Sequence, residues 1–270
     1  MGAVRTFPLV KTHAFGNDFL LMDAEHATGI ADLPQLARRI CDRHRGIGAD
    51  GLMSIDPTPD GANTRLWNAD GSRAEVSGNG VRCAAAWLAR ERQTAIGDTL
   101  IVETVAGPKR LTLLARDDER FTFRAEMGPP THLREETIDV DGTAVRCVVL
   151  RVGNPQCVVL GPATEERLVT IASRLAVHPL FPEGTNVELV SVESPATLRI
   201  LIWERGVGPT EASGTGACAS AVAAAFAGGA SRSVDVVSPG GTQHVEWAAD
   251  TIWLTGWAEV TGRAEQWIRD

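Results

Sequence analysis

Ser77-Gly78-Asn79-Gly80 and Ser213-Gly214-Thr215-Gly216 stand at an offset of 136 (213 against 77), and each opens a run that reads as a helix, Gly78–Arg92 and Gly214–Ala227. Serine is a favoured N-cap, and the glycines after it keep side chains away from the first backbone N–H groups. Those N–H groups have no intrahelical acceptor and sit at the positive end of the helix dipole, so each segment is a candidate anion site. The second helix is apolar nearly all round, as expected of a helix at the centre of a domain, and it stops at Gly228-Gly229.

Working outward from these segments, other matches appear in the same order. Trp67-Asn68 matches Trp203-Glu204, again at 136, and Gly16-Asn17-Asp18-Phe19-Leu20-Leu21 is echoed by Gly153-Asn154-Pro155-Gln156-Cys157-Val158-Val159 at 137. His44 and His178 lie 134 apart, and the turn glycines Gly107 and Gly240 lie 133 apart. Ordered matches at nearly one offset imply an internal duplication, two copies of a fold of about 130 residues. Each copy reads alike. A Gly-Asn turn leads to a buried strand (Phe19–Met22; Cys157–Leu160) and a helix (Leu33–Arg43; Glu165–Ala176). The Trp element (Arg65–Asn68; Leu198–Trp203) and the glycine-rich helix follow, then alternating strands: Thr99–Val105, Arg110–Leu114 and Thr122–Ala125, against Ser233–Val237, Gln243–Trp247 and Thr251–Thr255. The expected class is α/β or α+β. The halves are expected at 1–126, joined by a C-terminal strand at about 258–270, and at 127–257, with the boundary near Met127-Gly128-Pro129-Pro130.

Composition narrows the function. The chain has 270 residues, 44% hydrophobic and 22% charged, which fits a globular protein with a substantial core. A net charge of −8 and a pI near 5.3 exclude a nucleic acid or an anionic membrane surface as the expected partner. No run approaches the ~18 apolar residues of a membrane span, and the first residues lack a signal-peptide pattern. Cys41, Cys83, Cys147, Cys157 and Cys218 form no C-x-x-C pair, so a reduced, cytoplasmic setting is expected. No Cys/His cluster has zinc-ligand spacing, and no metal is expected. Gly46-Ile47-Gly48-Ala49-Asp50-Gly51 matches a dinucleotide fingerprint in letters only. It follows Arg43-His44-Arg45 rather than a strand and leads into a strand rather than a helix. Gly214-Thr215-Gly216-Ala217-Cys218-Ala219 opens a helix but lacks the preceding strand and the acidic residue at a strand end.

At these residues the chain resembles the diaminopimelate epimerase family. The resemblance is carried by His13-Ala14-Phe15-Gly16-Asn17-Asp18-Phe19, by 43–50, by 68–83 from Asn68-Ala69-Asp70-Gly71 through Ser77-Gly78-Asn79-Gly80 to Cys83, and by Gly153-Asn154-Pro155. Asn186, Glu204-Arg205-Gly206-Val207-Gly208, Ser213–Ala219 and Ser238-Pro239-Gly240-Gly241 complete it. It implies two pseudo-symmetric domains, each a curved, mostly antiparallel sheet around a central helix, with the active site in the cleft between them and a homodimer as the assembly. It also implies a cofactor-independent isomerase of lysine biosynthesis that takes LL- to meso-diaminopimelate, with a small amino-acid-like substrate as its partner. By carry-over, Asn17, Asn68, Asn154, Asn186 and Arg205 hold the distal amino-acid end. The amides of Gly78, Asn79, Gly214 and Thr215 hold the reacting carboxylate, and Glu204 and Asn68 address the reacting end.

The departures fall on the catalytic positions. Relatives carry a Cys at each paired position, where this chain has Ser77 and Ser213, and a His where this chain has Gln156; their Glu is kept as Glu204. A thiol with a pKa near 8.5 is poised as a base at a helix start, whereas a serine hydroxyl needs a strong neighbouring base. Gln156 has no titratable group. The expectation is therefore an isomerase with impaired or altered acid–base chemistry. The alternatives are the same pocket performing a double-bond isomerisation, cyclisation or dehydration, and a non-catalytic amino-acid-binding protein. Cys83 and Cys218, further along their helices, are expected to be core residues.

Overall fold

The computed structural model describes residues 4–74 and 77–269. Glu75 and Val76, inside one of the quoted motifs, lie outside the described residues. The chain divides into two compact units, Met1–Phe123 with Trp257–Asp270, and Arg124–Gly256.

In the first unit, β1 (Val4–Ala14) and β2 (Asn17–Asp23) form an antiparallel hairpin. Its turn places Phe15 and Gly16 at φ 55° and 87°, so the glycine has a conformational reason to be there. β2 is buried on both faces, as its aliphatic run requires. Two helices follow, α1 (Ala24–Thr28) and α2 (Leu33–Cys41). Asp32 caps α2 by accepting from the Gln35 amide at 2.8 Å, and Leu36, Ala37, Ile40 and Cys41 form its buried stripe. β3 (Gly51–Thr58) runs parallel to β2, and β4 (Gly61–Asn68) returns antiparallel to it. The two-residue β5 (Arg73–Ala74) folds back on β4 before α3 (Gly78–Arg92). β6 (Thr99–Thr104) then lies parallel to β4, and β7 (Gly107–Asp117) antiparallel to β6. β8 (Arg120–Gly128) leads into the second unit.

The second unit repeats that order of pairings. β9 (Thr131–Val140) and β10 (Thr143–Val152) form a hairpin, and β10 turns through Gly153 (φ 77°) into β11 (Asn154–Leu160). A helical stretch follows as α4 (Glu165–Arg167), a π-type turn (Leu168–Ala172) and α5 (Ser173–Ala176). β12 (Asn186–Ser194) is parallel to β11, β13 (Thr197–Glu204) antiparallel to β12, and β14 (Gly208–Thr210) folds back on β13. After α6 (Gly214–Ala227), β15 (Ser233–Ser238) lies parallel to β13 and β16 (Gly241–Trp247) antiparallel to β15. β17 (Ile252–Arg269) pairs with β16 through Ile252–Thr255; from Trp257 onward it belongs to the first unit, where it flanks β1.

The two sheet faces of the second unit carry different chemistry. Cys157, Val159, Val187 and Leu189 pack with Leu168, Ala172, Leu175 and Ala176 of the helical stretch. Strand alternation turns Gln156, Val158, Glu188, Val190, Ile200 and Ile202 to the opposite face. α6, buried at every residue from Gly214 to Ala224, packs on β10 to β13, β15 and β16. Three features go beyond the sequence expectation. β5 and β14 are too short to show an alternation, the strands expected at Thr251–Thr255 and near the C-terminus are one continuous β17, and the middle of the Glu165–Ala176 helix is a π turn.

Candidate active site

Both serines sit where the sequence puts them. Ser77 caps α3 from extended backbone (φ −128°, ψ 121°), its Oγ accepting from the Gly80 amide at 3.0 Å. Ser213 caps α6 in the same way (φ −138°, ψ 127°), accepting from the Gly216 amide at 3.1 Å. The Ser213 Oγ also lies 3.4 Å from Thr215 Oγ1. The helices that follow have the bounds the sequence predicts, so Gly78, Asn79, Gly214 and Thr215 occupy their first turns. In that position backbone amides point away from the helix toward an incoming acceptor.

In the first unit a polar network stands behind the helix start. Asn79 donates to Asn17 Oδ1 (3.1 Å), Asn17 donates to Asp50 Oδ2 (2.7 Å), and Arg82, fully buried, donates to Asn79 Oδ1. Asp50 in turn accepts from Arg43 at 2.7 Å. Asp18 receives two hydrogen bonds from Arg43 (3.1 and 2.8 Å), one from Lys11 (2.5 Å) and the Asp50 amide (2.9 Å). Burial raises the Asp18 pKa, but Arg43 and Lys11 outweigh it and hold the carboxyl below its ordinary value. Asn68 closes the tight turn after β4: its amide donates to the Ser72 carbonyl at 2.9 Å and its Nδ2 to Ser72 Oγ at 3.0 Å. Asn17, Asn68 and Asn79 are thus gathered around Asp50, since the Ala69 amide donates to the Asp50 carbonyl at 2.9 Å.

In the second unit Gln156 is fully buried and donates to Asn154 Oδ1 at 2.6 Å, while Asn154 reaches Thr215 Oγ1 at 3.5 Å. Gln156 pairs with Asn186 across the parallel strands, and the β12–β13 register carries Asn186 on toward Glu204. Asn186 accepts from the Arg205 amide (2.9 Å), and the Arg205 guanidinium donates to the Glu183 carbonyl (2.9 Å). One row across three strands therefore holds Gln156, Asn186 and Glu204, with Arg205 beside it. Gln156 Oε1, Asn186 Nδ2 and both carboxyl oxygens of Glu188 are buried without a hydrogen-bond partner among the described residues. Burial, and then the negative charge of Glu204, push the Glu188 pKa well above its ordinary value.

Sequence reasoning did not single out Asp18, Asp50, Arg82 or Glu188. The first three lie inside the quoted motifs; Glu188 had a signal in the repeat, because it matches Met53 at an offset of 135 (188 against 53). Cys83 and Cys218 are fully buried, and burial pushes the Cys83 thiol up to about 12, which makes it inert as a base. Among the described residues no group of three or more His, Cys, Asp or Glu is arranged to hold a metal ion, and no helix is long and apolar enough to cross a membrane. A cavity of about 520 Å³ in the second unit is lined by Glu135, Glu136, Arg146 and Cys147 among others and includes none of the residues above.

The family model described as diaminopimelate epimerase matches residues 9–133 and 148–265. A diaminopimelate epimerase of Desulfitobacterium hafniense is 39% identical over 268 residues, covering 92% of this chain and 94% of its own. That of Moorella thermoacetica is also 39% identical, over 264 residues, with the same coverage. Among solved structures, a predicted epimerase from Pseudomonas aeruginosa superposes with a TM-score of 0.76 at 16% identity, covering 96% of this chain and 99% of its own. A hydroxyproline epimerase from Agrobacterium vitis, solved with trans-4-hydroxy-L-proline bound, gives 0.76 at 16% identity, covering 100% and 95%. The fold is shared with these epimerases, and the family match spans both units. The chain belongs to the diaminopimelate epimerase family.

Proposed function

We propose that this protein is a cofactor-independent amino-acid isomerase acting on diaminopimelate or a close analogue, with acid–base chemistry altered from that of thiol-based relatives. The observation that carries the reading is the pair of buried helices, each started by a serine N-cap and a glycine-rich first turn. In this reading the amides of Gly78, Asn79, Gly214 and Thr215 bind the reacting carboxylate, whose charge they match. Arg205 recognises the distal carboxylate, with Asn17, Asn68, Asn154 and Asn186 fixing the distal stereocentre. Glu204 is the carboxylate base, Ser77 and Ser213 face the α-carbon, and Gln156 orients Asn154 through its 2.6 Å hydrogen bond. The matched order of strand pairings supports internal duplication as the origin of the two units. A cytoplasmic location and a homodimer come with the family reading.

The test is α-hydrogen exchange. LL-diaminopimelate held with the enzyme at high concentration in deuterated buffer is expected to take up deuterium at the α-carbon, followed by proton NMR. No uptake sinks the reading; tight calorimetric binding without uptake assigns the protein to a non-catalytic, amino-acid-binding role. Restoring Ser77→Cys, Ser213→Cys and Gln156→His together is expected to speed exchange, because two titratable thiols and an imidazole return.

A second reading keeps the pocket and uses Glu204 as the only base, for a double-bond isomerisation, cyclisation or dehydration. It is favoured by the neutral side chains at 77, 156 and 213. Failure of the restored triple variant to epimerise, while it still folds and binds, would select it.

A further inference from the structure

Met53 of β3 and Glu188 of β12 occupy the same place in their units. Met53 pairs with Leu66 as Glu188 pairs with Ile202. Met53 lies against the third residue of α3, since a Cβ added to Gly80 would be 2.8 Å from Met53 Cε. Glu188 lies against the third residue of α6, where a Cβ added to Gly216 would be 2.7 Å from Glu188 Oε1 and 3.2 Å from Ser213 Oγ. An apolar side chain fills this place in the first unit, so packing alone does not call for a carboxyl in the second. Yet Glu188 is fully buried, and neither oxygen has a hydrogen-bond partner among the described residues. An unpaired, desolvated carboxylate is costly, so the group is kept as the neutral acid and has a proton to give. The titratable groups coupled to it are Glu204 on β13, whose charge opposes its ionisation, and the Cys157 thiol on β11.

We propose that Glu188 is a positioning residue for Ser213: when substrate draws Ser213 off the Gly216 amide, the unpartnered Glu188 carboxyl beneath the first turn of α6 comes within reach of the Ser213 hydroxyl and exchanges a proton with it. The inference rests on the isomerase reading and supplies what that reading lacks, a strong acid–base partner for a serine. When the Ser213 O–H bond breaks and its proton goes to the α-carbanion of the substrate, the Glu188 O–H bond breaks and a new Ser213 O–H bond forms. Glu188 is left as the carboxylate. It regains the proton by the reverse transfer or, over a full turnover, from water.

Two measurements on the full chain decide this. Infrared difference spectra of wild type against Glu188→Gln, near neutral pH, are expected to contain the C=O band of a protonated carboxyl, and Ser213→Ala is expected to shift that band. A missing band, or one indifferent to Ser213→Ala, overturns the proposal. In deuterated buffer Glu188→Met is expected to lose ~10²–10⁴-fold of α-hydrogen exchange from LL-diaminopimelate, with diaminopimelate binding retained and Tm no lower than wild type. Glu188→Asp is expected to recover part of the exchange, which a purely structural role would not predict. Undiminished exchange in Glu188→Met also overturns the proposal. If the wild type itself exchanges nothing, the isomerase reading fails, and the infrared comparison still decides whether Glu188 shares a proton with Ser213.

Discussion

Asp18 and Glu188 are both buried carboxyls, and their neighbours give them opposite titration behaviour. Arg43 and Lys11 keep Asp18 ionised in the folded state, so its contribution is complete above the ordinary value of 3.8 and is lost as pH falls through the lower folded value. Glu188 is held protonated when folded and ionises near 4.5 when unfolded, so it costs stability increasingly as pH rises from 4.5 toward its raised folded value. Scanning calorimetry across pH is expected to separate them. Asp18→Asn should lose ~2–4 kcal/mol at neutral pH, a paired buried charge discounted for the half-exposed Arg43, and the difference should shrink in acid. Glu188→Gln should raise Tm in mild alkali and approach wild type near pH 4. A constant offset at every pH in either variant would contradict the assigned pairing. The two serine caps and the glycine-rich first turns were legible because they sit in short contiguous motifs. The Asp18 network was not, because Lys11, Arg43 and Asp50 come from separate elements and meet only through the β1–β2–β3 pairing. Glu188 could be found only by treating the second copy as a departure from the first, carboxyl against thioether.

At the scale of elements, α3 and α6 were readable to the residue because their starts are chemical: a serine that accepts from its own third amide needs no partner from elsewhere. The helical stretch 165–176 was readable in extent but not in winding. Its buried residues Leu168, Ala172, Leu175 and Ala176 suit an α-helix as well as the π turn they form. Strand contacts that skip along the chain were least legible, and Gly61 illustrates why. It pairs with Ile101 where β6 crosses to β4, and a Cβ there would fall 1.7 Å from the Ile101 carbonyl oxygen. No side chain rotation relieves a clash with backbone. Gly61→Ala is therefore expected to cost ~3 kcal/mol or more in urea denaturation, from forced separation of β4 and β6. Gly262 in β17 has no atom within 4 Å of its Cβ position, so Gly262→Ala is expected to stay within ~0.5 kcal/mol of wild type. Equal effects at the two sites would mean that the β4–β6 approach is not as close as described.

At the scale of the whole chain, the last strand brings the end of the sequence back to its start. After pairing with β16, β17 supplies β1 with ten registered partners, from Arg269 opposite Val4 to Glu259 opposite His13. Side chains reinforce that pairing. The Trp257 ring lies 4.4 Å from Phe15 and 5.3 Å from His13, the Arg120 guanidinium stacks on it at 4.4 Å, and Arg120 also pairs with Glu259 at 2.9 Å. Ala258 and Val260 are buried, and Arg263 pairs with Glu91 near the end of α3 at 3.1 Å. The first unit thus draws the strand between β1 and β8, an aromatic cluster and two ion pairs from residues more than 130 positions beyond its other strands. Ending the chain after Gly256 would leave β1 unpaired on that side and open Phe15 beside the turn that sets Asn17. The truncated protein is expected to lose amide protection across 4–14 and 17–23 by hydrogen exchange, while 186–204 keeps its protection because its partners are all retained. Because Asn17 and Asn79 are tied to each other, the same truncation is expected to abolish diaminopimelate binding by calorimetry. A synthetic peptide of residues 257–270 added to the truncated chain should restore protection in β1 if strand pairing is what was lost; full protection of β1 without any peptide would show that β2 alone holds it.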